Sequence, residues 1–295
     1  MTSSVFSIFM ILLWGASLLL GGILWQHIAH HKDVYISFLD IGQGDAILIR
    51  QGDNQVLIDG GRSGKVVREK LGMMMPFWDT YLEVMVATHP DEDHIGGLLD
   101  LFTFYVIGMV LDTKMTSDSE TYHVLQEKIQ ESAEQQKTER RETFAGMKIT
   151  LPESGVFEVQ HPFGTEEGNT SKDTNATSIV MTFTTHSGES FLFTGDLPST
   201  EEVYIPTPTQ PITVLKAGHH GSKYSSSQNF LARMRPRDVI ISAGKNNRYH
   251  HPAPEVLERL THISAIVFRT DMQGTVTYHC SAEVTANCVV SSDKD

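Results

Sequence analysis

The chain has 295 residues, 40% hydrophobic and 20% charged, proportions that exclude a disordered or collagen-like polymer and allow a sizeable core. With 36 Asp and Glu against 23 Lys and Arg, the formal net charge is −13, which argues against holding nucleic acid by bulk electrostatics. It leaves room for an enzyme that meets a phosphodiester at a metal ion, where the cation supplies the local positive charge.

Residues 1–26 carry no charged side chain, and 5–25 (VFSIFMILLWGASLLLGGILW) form a nearly continuous apolar run. About 20 such residues cross the ~30 Å hydrocarbon layer as a helix. The leading MTSS lacks the basic residues of a secretory signal, and the run exceeds the ~7–15 residues of a signal core. Residues 1–33 are therefore expected to be a transmembrane anchor, with a cleaved signal or a buried helix as alternatives, and 34–295 a single globular domain. Such a chain is a single-pass protein of the cell membrane. The nearest flanking basic residues, Lys32 and Arg50, do not specify its orientation. His27, His30 and His31 read as interfacial.

After this run, VYISFLD, AILIR and QVLIDGG predict a β-meander with glycine-rich turns. A short helix (64–71) and the strand LEVMVAT follow, then a helix whose Leu98, Leu99, Leu101 and Phe102 face the core. Residues 119–137 predict a polar amphipathic helix. FAGMKITL, VFEVQHP, TSIVMTF and SFLFTGD form a second strand set. Strands and helices then alternate through ITVLKAG, 226–234, DVIISAG, 253–260 and AIVFRT to a final hairpin. Two strand groups, each followed by helices, predict an α/β protein with two sheets face to face and helices outside, an αββα sandwich. Cys280 and Cys288 suit opposite arms of the last hairpin. They are either a disulfide, which would place the domain in an oxidising compartment outside the cytoplasm, or two small core residues.

The densest chemical signal is THPDEDHIGG, with His89, Asp91, Asp93 and His94 where an apolar strand gives way to a helix. Imidazole and carboxylate are the ligands that borderline to hard divalent cations take. The alternative is an acidic turn with Asp93 as helix cap. FLFTGD ends in Asp196, either a ligand or the cap of a helix over 198–203. LKAGHHGSKYSSS carries His219 and His220 at another strand end. From a regular strand two adjacent histidines cannot face one point, so one is expected to ligate and the other to orient or contact substrate. DIGQGDA lacks the full GxGxxG pattern and enters a strand, so it is not a phosphate cradle. The run Met73–Met75 with Phe77 and Trp78 reads as core or loop packing.

The series DIGQGDAILI, LIDGG, THPDEDHIGGL, FTGD, LKAGHHGSKYSS and SAGKNNRYHHPAPEVL resembles the metallo-β-lactamase superfamily. More narrowly, it is similar to the hydrolase domain of the ComEC type of DNA-uptake channel. The resemblance implies an αββα metallo-β-lactamase sandwich with one or two divalent ions at a sandwich edge. Carried over, His89 and Asp91 bind one ion. Asp93, His94 and one of His219 and His220, with His220 favoured, bind the other, and Asp196 bridges. Asp45 and Asp59 support the ligands from behind. The superfamily's third-motif histidine has no counterpart in SKDTNATSIVM, where Asn175 and Ser178 stand instead. With Asp91 in place of a histidine the set is oxygen-rich, which suits Mn²⁺ beside Zn²⁺, with Mg²⁺ possible. These departures disfavour a β-lactamase proper.

The implied chemistry is metal-assisted hydrolysis of a DNA phosphodiester, with Asp93 as proton acceptor, His251 as acid for the leaving oxygen and Asn247 in substrate contact. GKNNRYHHP is otherwise a polar loop before a helix that starts on proline. Lys216, Ser222, Lys223 and Arg248 are placed to grip phosphate oxygens. The implied partners are single- or double-stranded DNA, the membrane and a DNA-uptake channel. The rivals are a hydrolase of another small ester or amide, and a binding module of the same fold that does not cut.

Overall fold

The computed structural model describes residues 10–18, 21, 32–113, 117–151, 155–163, 173–282 and 287–294. The expected membrane span lies mostly outside these. Residues 10–18 are helical and exposed, and among the described residues no helix is long and apolar enough to cross a membrane.

Two sheets stack face to face. The first has eight strands in the order β15-β14-β1-β2-β3-β4-β5-β6. These are β1 (Val34–Phe38), β2 (Ile47–Gln51), β3 (Asn54–Ile58), β4 (Tyr81–Val86), β5 (Val106–Asp112), β6 (Glu139–Glu142), β14 (Val276–Cys280) and β15 (Val289–Ser292). The second runs β13-β12-β11-β10-β9-β8-β7. It comprises β7 (Lys148–Leu151), β8 (Gly155–His161), β9 (Val180–Thr185), β10 (Ser190–Phe193), β11 (Val214–Lys216), β12 (Asp238–Ile241) and β13 (Ile266–Arg269).

The strand sequences explain the layering. Ile47 and Ile49 on β2, with Val56 and Ile58 on β3, point between the sheets, where they meet Phe157, Phe183, Phe191 and Tyr278. Leu48 and Leu57 point the other way. There they pack under α1 (Gly64–Met74), α2 (Glu92–Ile95), α3 (Leu98–Phe104) and α4 (Glu120–Glu134). On the far side Leu192, Leu215, Val239 and Ile241 meet α5 (Gln228–Met234) and α6 (Pro254–His262). Strands covered on both faces read as unbroken apolar runs rather than alternating ones, because neither face sees water. The result is the expected αββα sandwich.

Three sequence expectations change. A short 3₁₀ turn (Glu202–Tyr204) stands where a helix over 198–203 was one reading of Asp196, and Asp196 does not cap it. The polar segment ERRE forms the edge strand β6, a strand that apolar patterning cannot reveal. The Met73–Met75 run divides: Met75 is buried in the core with Met74 packed against it, whereas Met73, Phe77 and Trp78 are 78%, 89% and 69% exposed. The cysteine question closes in favour of a disulfide, Cys280–Cys288, at the root of the β14–β15 hairpin.

Candidate metal centre

The site lies where strands of both sheets end. Asp59 follows β3, Thr88 and His89 follow β4, Asp93 and His94 ride on α2, and Asp196 follows β10. His219 and His220 occupy the 3₁₀ turn Gly218–Gly221 after β11. Glycines let these loops interlock. A Cβ at Gly97 would stand 1.9 Å from the Gly60 carbonyl oxygen. Gly44 (φ 116°) brings the β1–β2 loop so close to α2 that a Cβ there would meet the Asp93 carbonyl at 1.9 Å. DIGQGDA is thus a packing turn that delivers Asp45 to the site, where Asp45 N–H donates to Asp93 O at 3.2 Å.

The geometric hub is Asp196 Oδ2. Around it stand the Nε2 atoms of His94 at 3.3 Å, His220 at 3.4 Å, His219 at 3.7 Å and His89 at 4.0 Å. Asp93 Oδ2 lies 3.5 Å from His220 Nε2. The adjacent histidines do face one point, contrary to the argument from a regular strand. Both adopt left-handed backbone, φ 47° at His219 and 54° at His220, which breaks the strand alternation and turns both rings the same way.

Three of the four imidazoles are aimed from behind. His94 Nδ1 donates to Asp59 Oδ2 at 2.8 Å, and Asp59 in turn accepts from Thr88 N–H and Thr88 Oγ1 at 2.9 and 2.7 Å. His89 Nδ1 sits 3.0 Å from Thr88 Oγ1. His220 Nδ1 donates to the Ser242 carbonyl at 3.0 Å and lies 3.3 Å from Asp45 Oδ1. Such backing fixes ring orientation and leaves Nε2 directed at the hub. Asp45 also forms a fully buried ion pair with Lys216 Nζ at 2.5 Å.

The charge pattern is lopsided. Asp45, Asp59, Asp93 and Asp196 cluster with one buried lysine, Lys216. Burial pushes the Asp196 carboxyl up, but His220 and His94 outweigh it and hold it well below the usual range. Asp93 is likewise lowered, against burial, by its hydrogen bond to His220 and by His94. Burial pushes His94 down, but Asp196 and Asp59 raise it well above the ordinary value. His220, against the same burial, is pushed up to about 9 by Asp196 and Asp45. His89 is driven down to about 3 by burial and His94. Its Nε2, and Asp196 Oδ1, are buried without a hydrogen-bond partner. Orphaned acceptors in an excess of carboxylate fit a divalent cation. The ligand atoms of Asp45, His94, Asp196 and His220 all fall within 4.8 Å of one another.

The other residues singled out from the sequence divide. Asp91 leads into α2 and accepts from Thr174 Oγ1 at 2.6 Å, on the side of the missing third-motif histidine. Ser178 Oγ accepts from Asp196 N–H at 3.2 Å and so positions the hub's backbone. Asn175 sits in the 3₁₀ turn Thr174–Thr177, its Oδ1 buried and unpartnered.

Lys216 is not open to a substrate: it is fully buried against Asp45 and donates to Gly195 O. Ser222 is buried too, its Oγ accepting from Tyr224 N–H. Asn247 is a loop organiser and not a reacting group. Its amide donates to the Gly244 and His251 carbonyls, and its Oδ1 accepts from Tyr249 and His251 N–H. That loop sets His251 beside the site, with ring centroids 5.7 Å from His219 and 6.5 Å from His220. Burial and the two histidines lower His251 to about 4, and its Nδ1 is buried without a hydrogen-bond partner. Lys223 and Arg248 are exposed, and Arg248 donates to the Tyr249 hydroxyl at 2.6 Å.

Sequence reasoning missed Thr88, Gln43 and Tyr249. Thr88 directly precedes His89 and was legible as a neighbour. Gln43, whose Oε1 accepts from Gly244 N–H at 3.2 Å, joins two loops 201 residues apart and left no local signal.

Residues 39–245 match the family model described as Metallo-beta-lactamase superfamily. The chain is 33% identical over 263 residues to ComE operon protein 3 of Bacillus subtilis (strain 168), covering 82% of this chain and 32% of that protein. It is 27% identical over 269 residues to Competence protein ComA of Neisseria gonorrhoeae, covering 90% and 35%. The chain thus spans about a third of the length of these curated relatives. Among solved structures, the metallo-beta-lactamase fold protein YhfI from Bacillus subtilis superposes with a TM-score of 0.53 at 13% identity, over 80% of this chain and 96% of that one. A diphosphatase from the PhnP family does so at 0.50 and 12%, over 84% and 99%.

Proposed function

The chain belongs to the metallo-beta-lactamase superfamily, and from that premise we propose that it is a metal-dependent phosphodiesterase or nuclease, tethered by residues 5–25 and serving DNA uptake. The relative named as a competence protein supports the biological setting. The observation that carries the chemistry is the convergence of four Nε2 atoms on Asp196 Oδ2 beside a buried surplus of carboxylate.

Asp93, His94, His220 and Asp196 would hold one divalent ion, Zn²⁺ or Mn²⁺ with Mg²⁺ possible, and His89 and His219 reach the side where a second would sit. A cation there supplies Lewis acidity and lowers the pKa of water. The protein's own residues do the rest. Asp59, Thr88, Asp45 and Ser242 keep the imidazoles in register. Asp93, whose Oδ2 lies 3.5 Å from His220 Nε2, accepts the proton from the attacking water. The exposed Lys223 and Arg248 meet phosphate oxygens, a local positive pair on a chain whose net charge is −13. A location outside the cytoplasm is supported by the Cys280–Cys288 disulfide, which an oxidising compartment preserves.

The test uses the full chain in detergent. Bound metal is measured by elemental analysis, and cleavage of single- and double-stranded DNA is followed with Mn²⁺, Zn²⁺ or Mg²⁺, beside Asp93→Ala. Metal-dependent cleavage lost in the variant supports the reading. Metal binding with turnover of a small ester or amide, and none of DNA, would replace the substrate. DNA binding without cleavage would make the chain a recruiting module.

A further inference from the structure

The end of the sandwich opposite the metal centre exposes a group of large apolar side chains. Met73 closes α1, Phe77 and Trp78 stand on the following loop, and Tyr81 opens β4. Phe104 ends α3. Their exposures run from 43% at Tyr81 to 89% at Phe77. Phe77 and Trp78 pack edge to face on each other, with ring centroids 4.8 Å apart, and Arg68 covers one face of Phe104 at 3.9 Å. Two adjacent aromatics mostly in water, beside an exposed Met and a half-exposed Phe, are more than the scattered apolar residues a surface normally carries.

The topology says what lies next to them. β1 is antiparallel to β2, β2 to β3, and β3, β4 and β5 are parallel. β1 and β4 therefore begin at the same end of the sheet. β4 stands three strands from β1, about 14 Å at ~4.8 Å per strand. The chain thus enters its globular part at Val34 on the same end as the aromatic group, and the stretch before Val34 contains the uncharged apolar run 5–25. An anchor that leads into this end brings Phe77 and Trp78 to the depth of the lipid headgroups. Amphipathic aromatic rings concentrate at that depth. Asp53 and Asp79 at the same end, and the acidic chain as a whole, give no support to binding anionic lipid by charge.

We propose that Met73, Phe77, Trp78, Tyr81 and Phe104 form a membrane-docking surface that seats the domain on the lipid interface beside its own anchor. The metal centre then faces away from the bilayer. His89 lies eight residues beyond Tyr81 along β4 and its continuation, roughly 26 Å at ~3.3 Å per residue. A polymeric substrate therefore reaches the site from the aqueous side without touching lipid. The inference rests on the membrane attachment proposed above and gives that attachment an orientation.

The test uses the full chain carrying Trp14→Phe and Trp25→Phe, so that Trp78 is the remaining indole. The chain is reconstituted into phosphatidylcholine vesicles, plain or brominated in the upper acyl chain, and vesicle attachment is scored separately by flotation. Docking predicts flotation, a blue-shifted Trp78 emission and several-fold stronger quenching in the brominated vesicles. Phe77→Ser is expected to weaken that quenching, and added phosphatidylglycerol to leave it unchanged. A chain that floats with Trp78 open to acrylamide overturns the docking and spares the anchor. Flotation with Trp78 shielded from both quenchers means that a second copy or another protein covers the patch, which also overturns it. A chain that does not float overturns the anchor and the docking together.

Discussion

The two halves of the metal cradle are built to different standards. On one side His94, His220 and Asp93 crowd Asp196, each imidazole is backed by a buried acceptor, and the distances to the hub are 3.3 and 3.4 Å. On the other, His89 stands off at 4.0 Å, Asp91 is engaged by Thr174, and Ser178 spends its hydroxyl on the Asp196 backbone. The difference teaches that His94 and His220 are held close to the hub by buried acceptors, whereas His89, backed by the Thr88 hydroxyl, and His219 stand farther off. Substitutions on the two sides should therefore differ in cost.

The largest effect is expected from Asp196→Ala, which removes the hub common to both sides. Several kcal/mol of transition-state stabilisation go with a bound cation, so activity should fall by roughly 10²–10³-fold and bound metal should drop below one per chain. Elemental analysis and rate measurements on one preparation check both. Residual activity in Asp196→Ala equal to that of the parent would dissolve the comparison.

Next is the buried Asp45–Lys216 pair behind His220. Lys216→Met strips buried Asp45 of its ammonium partner and should destabilise the fold by about 3–5 kcal/mol, while Asp45→Asn combined with Lys216→Met recovers part of it. Denaturant unfolding of the three proteins measures this. Acid titration probes the same pair. Burial raises the Asp45 carboxyl, but Lys216 and His220 prevail and hold it at about 2. A depressed carboxylate pKa contributes stability that is fully present above the unfolded value near 4 and lost as pH falls towards 2. In chelator, both proteins should lose stability across that window, because Asp93 and Asp196 are lowered as well, and Asp45→Asn/Lys216→Met should lose less than the parent.

A smaller loss is expected from Asp59→Asn, which loosens the tether of His94 without touching the hub. Affinity for the first cation should fall ~10–100-fold, read by competition with a chromogenic chelator. The smallest effect belongs to Asp91→Asn on the side that stands farther off, where activity should stay within about tenfold of the parent and one cation should remain bound. Loss of all metal in Asp91→Asn would reverse the ranking of the two sides.

The layered fold was legible because strands such as AILIR and SFLFTGD carry their two-sided burial as unbroken apolar runs. THPDEDHIGG and FTGD were legible because ligand-type residues are dense at strand ends. The roles of Lys216 and Asn247 were not. Their neighbours along the chain suggest contact with substrate, yet Lys216 is satisfied by Asp45, 171 residues away, and Asn247 by the backbone of its own loop. Partners that distant leave no trace in local pattern, because a side chain's chemistry is set by whatever the fold packs against it.

By itself, the order of residues determined which segments become strands and helices and which groups can ligate, since periodicity and donor chemistry are local. Only the tertiary structure decided that His219 and His220 both face Asp196, that Trp78 is on the surface, and that this aromatic end is also where the chain enters. Backbone handedness and strand direction set those outcomes, and both are properties of the assembled sheets.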